Sequence, residues 1–500
     1  MTQAQRLAVH FCFALAFALR LWHLDFGLPL QLHPDENVKV AVMQRLLAGQ
    51  APGYFLHPGL MVNLSALAAL PFNLFLSLGS TDLQVIGRLA SALVGGLTVY
   101  PLALLVLRMG LTPLAAVIAA FILTVSPSHV TLSRYLKEDV YLVAGVLISL
   151  LATLSLMERP DCRRRAVLAG AAAGLAFASK FVGALMLLPV VYLVVRHGAQ
   201  RRFLLVLLAG LGFAGTFVLL SPQVLLFTRA YADVQRELNV TVIQPASALK
   251  LHIWQWPDWG TYYFRTAVVS ALTLPITLTA VIGLARSLRR NQRTSAILLV
   301  AIMAGLWYLL IELGSAKRGI ARARYALPVA ILLTPFAATA IADLFANRRR
   351  PLAILAMLIL LVPTVTSFRQ SYAMHTDTRE LAARHIAQNP PANRQGGILS
   401  NLFSQTVVGA NEPILIGLTQ EPAKLREAVG PLDLIVLDSL YIDRLEEFPR
   451  LATCELESLR LLREEFPHVT LFEAPAAHRH HFHQATVEVR RRNPPAVPND

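Results

Sequence analysis

The chain predicts an all-α polytopic membrane protein of about eleven transmembrane helices, followed by a small α/β domain. Three observations carry this. The 500 residues are 55% hydrophobic, with mean hydropathy +0.54 and only 15% charged, well under the roughly 25% typical of soluble domains. Apolar runs of about 20 residues recur from residue 7 to residue 370. From residue 371 onward charge rises and long apolar runs stop.

The net charge of +15 raises nucleic acid as a partner, but its distribution argues against that class. Much of the arginine lies in short tracts between apolar runs: Arg163-Arg164-Arg165, Arg201-Arg202, Arg286 with Arg289-Arg290, and Arg348-Arg349-Arg350. That is the positive-inside pattern of a membrane protein. The three cysteines, Cys12, Cys162 and Cys454, are too few and scattered for a disulfide framework or a thiolate metal site. No small-residue cleavage site follows the first run, so it reads as a retained helix.

Taking every tract as cytoplasmic orders the crossings. Run 7–24 leads out, 83–107 in, 111–127 out and 140–157 in. The interval 166–195 lies between two basic tracts and must cross an even number of times. It is about 30 residues, or roughly 45 Å as helix, enough for two short helices turning near Lys180. Run 203–221 then leads out, 265–285 in, 295–311 out, 326–345 in and 352–370 out. Segment 58–78 carries Pro58, Pro71 and Asn73 and reads as interfacial or re-entrant. The alternative is that it spans, with the N-terminus outside. The division is therefore a transmembrane domain 1–370, with external loops 25–82, 128–139, 222–264 and 312–325, and an external α/β domain 371–500. In the latter, 377–388 and 451–465 read as helices and 432–437, 469–472 and 486–489 as strands.

Two acidic pairs fall in the external loops. Asp35-Glu36 follows Pro34, and Glu36 opens an amphipathic pattern through Val38, Val42, Leu46 and Leu47. One carboxylate can act as base and the other as positioner; the competing reading is a helix cap. Glu138-Asp139 closes Ser133-Arg134-Tyr135-Leu136-Lys137-Glu138-Asp139. Here the competing reading is an interfacial charge belt, with Arg134 and Lys137 snorkelling. Carboxylates at a bilayer interface are costly unless wet, paired or used.

The segment Lys317-Arg318-Gly319-Ile320-Ala321-Arg322-Ala323-Arg324-Tyr325 breaks the positive-inside pattern, since parity places it outside. An anionic partner explains that cost, and a phosphate suits guanidinium forks. Lys180 is a second phosphate candidate, and His57 can bind substrate or support a carboxylate. Trp254, Trp256, Trp259, Tyr262 and Tyr263 read as an interface belt or a sugar-stacking platform. His478, His480, His481 and His483 read as loop surface, with metal binding the alternative. No phosphate-binding Gly-rich loop or nucleotide fingerprint is present.

Carboxylates, phosphate-binding cations and aromatics on one external face suit transfer of a sugar from a lipid phosphate. A carboxylate takes the acceptor hydroxyl's proton, cations stabilise the departing phosphate, and in-line attack inverts the anomeric carbon. The acceptor hydroxyl belongs to a glycan, lipid or protein. Alternatives are a transporter or flippase of a lipid-linked glycan, and a non-enzymatic envelope assembly protein.

The chain also resembles the integral-membrane glycosyltransferases that use polyprenyl-phosphate sugars, the GT-C superfamily of protein O-mannosyltransferases and lipid A aminoarabinose transferases. The resemblance covers most of residues 1–370. Asp35-Glu36 matches an Asp-Glu pair of the first external loop, and Asp139 an aspartate at the start of the fourth helix. His57-Pro58-Gly59-Leu60 echoes a His/Lys-Pro-Pro-Leu element without its second proline. Arg322-Ala323-Arg324-Tyr325-Ala326-Leu327-Pro328 matches Lys/Arg-x-Arg-Tyr-x-Leu-Pro. The resemblance implies Asp35 as base or acceptor-binding residue, with Glu36 and Asp139 beside it in the catalytic set. It implies a polyprenyl-phosphate-linked sugar as donor, among membrane lipids of a bacterial inner membrane. It also leaves room for a divalent metal, with Asp35, Glu36 and His57 as contributors. Lys180, Lys317, Arg318, Arg322, Arg324 and Tyr325 are the expected donor-phosphate set, with His57, Glu138 and Arg134 as acceptor or supporting residues.

Overall fold

Helices dominate the computed structural model. It describes residues 1–53, 57–197, 201–223, 232, 260–289, 294–313, 322–347, 349–391, 396–399, 414–418, 421–447, 452–475 and 484–492. The first helix, α1 (Gln3–Leu21), starts at a capping box between Thr2 and Gln5, which satisfies amide donors that a helix start leaves open. After a loop, α2 (Pro34–Leu47) starts with Pro34 in its first turn and His33 as N-cap, its Nδ1 accepting from the Asp35 amide. Proline fits there because first-turn amides lack intrahelical acceptors. This start places Asp35 and Glu36 in the helix's first turn.

Helix α3 (Leu60–Asn73) has 14 residues, short of the 17 or so that cross a bilayer. Helices α4 (Ser80–Leu97) and α5 (Val99–Arg108) run on as one 29-residue apolar span. Helix α6 (Pro113–Thr124) is followed by the short α7 (Pro127–Leu132), each opening on proline. Helix α8 (Asp139–Glu158) is a full 20-residue span. The Ala- and Gly-rich α9 (Arg163–Ser179) ends where Lys180 is extended. A 3₁₀ turn (Phe181–Met186) then leads into α10 (Leu187–His197), so the chain breaks where the even-crossing requirement placed a turn. Helix α11 (Arg202–Leu220) packs tightly along α9.

Beyond it, helix 264–272 meets helix 274–289 at a 102° bend. Thr273 takes φ +73° there, a region L-residues rarely adopt. Helices Ser295–Leu313, Arg322–Ala346 and Arg350–Ala373 complete the bundle. Among the described residues seven helices are long and apolar enough to cross a membrane, and the bent pair makes an eighth. The other expected crossings fall on Pro113–Thr124, Arg163–Ser179 and Phe181–Arg196, which are shorter or more polar.

The C-terminal part is a five-stranded sheet of order β2-β1-β3-β5-β4: β1 (Gly396–Leu399), β2 (Ile414–Ile416), β3 (Leu434–Asp438), β4 (His468–Phe472) and β5 (Val487–Arg491). The inner strands β1 and β3 pair parallel, and β5 runs antiparallel to β3 with Val436 opposite Val489. Strand β3 is buried throughout, as its unbroken apolar run requires. Helix Thr378–Gln388 is capped by Asp377 and packs on one face through Ala382 and Ile386. Helices Pro422–Val429 and Thr453–Glu465 cover the other face through Leu425, Leu459 and Leu462. The sequence pattern anticipates three strands and two helices here; strands β1 and β2 and helices Pro422–Val429 and Ser439–Glu447 are additional.

Candidate active site

One end of the bundle gathers charged side chains from five places in the chain. The first turn of α2 supplies Asp35 and Glu36. Segment 133–138, between α7 and α8, supplies Lys137 and Glu138, and Asp139 opens α8. The break after α9 supplies Lys180, and the start of helix Arg322–Ala346 supplies Arg324 and Tyr325.

Asp35 Oδ2 accepts from Lys137 Nζ and, at 3.3 Å, from Arg324 Nη1, while the carboxylate side chain stays 42% exposed. It is thus clamped on one side and open on the other. Partial burial opposes its ionisation, but Lys137, His33, Arg324 and Lys39 outweigh this and hold the carboxyl well below its usual range. Lys137 is lowered to about 8 by burial, with Asp35 working the other way.

Asp139 lies next to this pair. Its Oδ1 accepts from Lys180 Nζ at 2.9 Å, and its Oδ2, though buried, makes no hydrogen bond among the described residues. Lys180 Nζ lies 5.1 Å from the centre of the Tyr325 ring, and the Arg324 guanidinium is equally close to that ring. Arg324 Nη2 donates to the Tyr325 hydroxyl at 3.0 Å. Lys180, Arg324 and Tyr325, expected together at a phosphate, are brought together.

Glu36 has a different place. Its side chain is fully buried, and its two oxygens accept from Arg88 Nε and Nη2 at 2.9 and 2.7 Å. They also accept from Gln84 Nε2 and the Leu136 amide at 2.9 and 2.7 Å. With both oxygens engaged, it ties α2 to α4 and to segment 133–138. This is the geometry of the positioner that one member of the pair is expected to be, rather than of a base. Glu138 likewise accepts from Lys39 Nζ at 2.6 Å in a buried pair.

Arg134 has a supporting place. It is buried and donates to the carbonyls of Trp22, His23 and Ser371 and to Met374 Sδ. It braces the first loop against the tail and does not line the site. Burial of Arg134 and Lys137 overturns the charge-belt reading of that segment. Tyr262 and Tyr263 are buried as well, so neither presents a ring face for sugar stacking.

The His57-Pro58-Gly59-Leu60 element is fastened to the end of α11. The Gly59 amide donates to Ser221 Oγ at 3.0 Å, a bond that a second proline would lack. A side chain at Gly59 would also collide with Gln223. His57 lies close enough to Glu138 to favour its ionised form. Lys317, Arg318 and the Arg322 side chain lie outside the described residues, as do Trp254, Trp256, Trp259 and the histidines at 478–483.

A divalent metal held by Asp35, Glu36 and His57 does not fit this donor set. Glu36 has spent both oxygens on Arg88, Gln84 and a backbone amide, and Asp35 faces two cations. Among the described residues no group of three potential ligands assembles.

Sequence reasoning missed Arg88, Lys39 and Lys137. Arg88 alone carried a signal, a cation inside the apolar run 83–107. Arg379 was missed too. It is buried, forked on Asp377, and donates to the Leu32 carbonyl at 3.0 Å, next to the His33 cap of α2.

Residues 66–235 match the family model of dolichyl-phosphate-mannose-protein mannosyltransferase. No curated protein matches this sequence. Among solved structures, ArnT from Cupriavidus metallidurans bound to undecaprenyl phosphate is similar at TM-score 0.50 and 15% identity, over 97% of each chain. The oligosaccharyltransferase AglB from Archaeoglobus fulgidus, in complex with an inhibitory peptide and a dolichol-phosphate, is similar at TM-score 0.55 and 12% identity, over 100% of this chain and 75% of that one. The apo form of the Archaeoglobus enzyme gives TM-score 0.57 at 13% identity, over 99% of this chain and 75% of that one.

Proposed function

We propose that this chain is an integral-membrane glycosyltransferase of the GT-C superfamily, which carries out inverting transfer of a sugar from a polyprenyl-phosphate donor to an acceptor hydroxyl on the extracytoplasmic face; the family-model match and the fold shared with ArnT and AglB support this. The observation that carries the assignment is the meeting of Asp35 with Arg324 at 3.3 Å, beside the Lys180–Asp139 pair. A carboxylate open on one side thereby adjoins a cluster of cations at the end of an apolar bundle.

The acceptor oxygen attacks the anomeric carbon from the face opposite the phosphate. Its proton passes to Asp35. The bond from the anomeric carbon to the phosphate oxygen breaks, and its electron pair leaves on the phosphate. Lys180 and Arg324 stabilise that charge, joined by whichever of Lys317, Arg318 and Arg322 reach it, and Tyr325 packs under both cations. Asp139 holds Lys180 in place and offers its second oxygen to a sugar hydroxyl. The ArnT and AglB structures hold undecaprenyl phosphate and a dolichol-phosphate, which supports a lipid phosphate as the donor's carrier. The extracytoplasmic placement rests on the arginine tracts at the opposite ends of the helices. Acceptors of this chemistry are hydroxyls of a glycan, a lipid or a protein.

The test is mass analysis of lipids co-purified with the full chain, followed by transfer from candidate polyprenyl-phosphate sugars. Transfer that disappears in Asp35→Asn, with lipid still bound, supports the reading. Lipid movement across the bilayer that persists in Asp35→Asn would instead identify a flippase.

A further inference from the structure

Lys137 is a site cation that the reaction above does not use. It lies two residues before Asp139, on the segment that Glu36 grips through the Leu136 amide. Its side chain is 1% exposed, and its ammonium sits on Oδ2 of Asp35, the oxygen that also takes Arg324. One carboxylate oxygen is therefore held by two cations from two different elements. Opposite charges close to a carboxylate reduce its proton affinity, and the efficiency of a general base follows that affinity. In this arrangement Asp35 is a poor base.

The same two cations suit a phosphate. Arg324 presents a planar fork, and Lys137 a point charge on a flexible four-carbon stem. Among the described residues the cluster sets Asp35, Glu36, Glu138 and Asp139 against Lys39, Arg88, Lys137, Lys180 and Arg324. The phosphodiester of a lipid-linked sugar carries a negative charge that such cations recognise. It also competes with Asp35 for Lys137 and Arg324. Glu36 and Glu138 do not enter this competition, because Arg88 and Lys39 hold them in buried pairs.

Resting on the reading of the site as a lipid-phosphate sugar transferase, we propose that Lys137 and Arg324 exchange partners during the cycle. They hold Asp35 until the donor phosphate arrives, then turn to the phosphate and release Asp35 to receive the acceptor's proton. The donor binds first, and its phosphate switches the base on.

Linkage makes this measurable without turnover. If the phosphate and Asp35 compete for the same cations, removing the Asp35 charge strengthens phosphate binding. Undecaprenyl phosphate is titrated into the detergent-purified full chain as wild type, Asp35→Asn, Asp35→Ala, Lys137→Gln, Lys137→Arg and the Asp35→Asn/Lys137→Gln double variant. Thermal unfolding checks that each is folded, and Asp35→Ala stands in should Asp35→Asn be unstable. Both Asp35 variants are expected to bind at least about fivefold tighter than wild type, the lower end of typical coupling between sites. The gain shrinks in the Lys137→Gln background, and Lys137→Arg binds at least as well as wild type. Unchanged or weaker binding in folded Asp35 variants overturns the exchange, as does a gain that is the same with and without Lys137. If the wild type itself binds no undecaprenyl phosphate, the function proposed above fails. If it binds and transfers while Asp35→Asn gains nothing, only the exchange fails.

Discussion

Asp35 and Arg324 stand 289 positions apart in the chain and meet at 3.3 Å. The first residue comes from the first turn of α2, the second from the start of a helix late in the bundle. Their contact joins two motifs that each look incomplete alone. An acidic pair at a helix start reads as a cap, and a basic tract on the wrong side of a membrane reads as an exception. Held together, they place a half-exposed carboxylate beside a guanidinium, the pair that the proposed transfer needs.

Replacing Asp35 by Asn is expected to lower transfer by about 10²–10⁴, the usual worth of a positioned general base, without loss of lipid binding. Single-turnover assays on donor-loaded protein check this, because they read chemistry apart from donor capture. Turnover near the wild-type rate would remove Asp35 from the base role.

Lys180→Gln and Arg324→Gln are expected to act on the donor. Each removes a charge-assisted contact to phosphate, so the donor KM rises, and kcat falls with the loss of leaving-group stabilisation. Acceptor KM stays close to wild type. Donor and acceptor titrations of both variants separate the two effects.

Lys137 gives the site a pH limit. Burial lowers it to about 8, so it is charged below that pH and neutral above it. Donor affinity is therefore expected to fall as pH rises through about 8. A guanidinium stays protonated across this range, so Lys137→Arg should flatten the alkaline limb. An identical limb in that variant would assign it to another group.

The buried Glu36–Arg88 fork predicts a stability effect. Removing one partner, as in Arg88→Met or Glu36→Leu, leaves a charge without its counter-ion and is expected to cost about 3–5 kcal/mol. The Glu36→Leu/Arg88→Met pair should recover much of that. Detergent-phase thermal unfolding of the three variants forms the cycle.

Arg379 and Asp377 predict a link between the tail and the loop that leads into Asp35. Arg379 donates to the Leu32 carbonyl, and the His23 and His375 rings lie 4.3 Å apart along the same seam. Arg379→Gln is expected to raise hydrogen exchange in residues 23–36 and to lower kcat, with the helices of the bundle unaffected. Exchange confined to the tail would place the residue in the tail's own stability.

Much of this was legible beforehand. Apolar runs locate the long helices because a membrane span needs length and hydrophobicity in one stretch. Lys180 was legible as a turn because an even number of crossings had to fit between two arginine tracts. The rest depends on three-dimensional neighbours. The bend at Thr273 lies inside a run, 265–285, whose hydropathy does not change there. Strands β1 and β2 are short and lie in polar sequence. Lys39 and Lys137 look like ordinary interfacial lysines until Glu138 and Asp35 are seen beside them. Glu36 and Asp35 are adjacent in sequence, yet helical geometry turns one into the packed interior and leaves the other at the opening.

The spacing of the site also depends on atoms that are missing. A Cβ on Gly87 would lie 2.6 Å from Leu136, and one on Gly95 2.2 Å from Ser133. Helix α4 can therefore lie directly against segment 133–138, where the Leu136 amide meets Glu36 and the Leu136 carbonyl meets Lys39. The tolerance of that seam is less than one methyl group. Alanine at Gly95, where the Ser133 Cβ itself would stand 2.7 Å away, would act as a shim against the segment that carries Lys137 and leads into Asp139, while leaving every charged group in the sequence. The distance between Asp35 and its cations is gauged here by an absence of carbon.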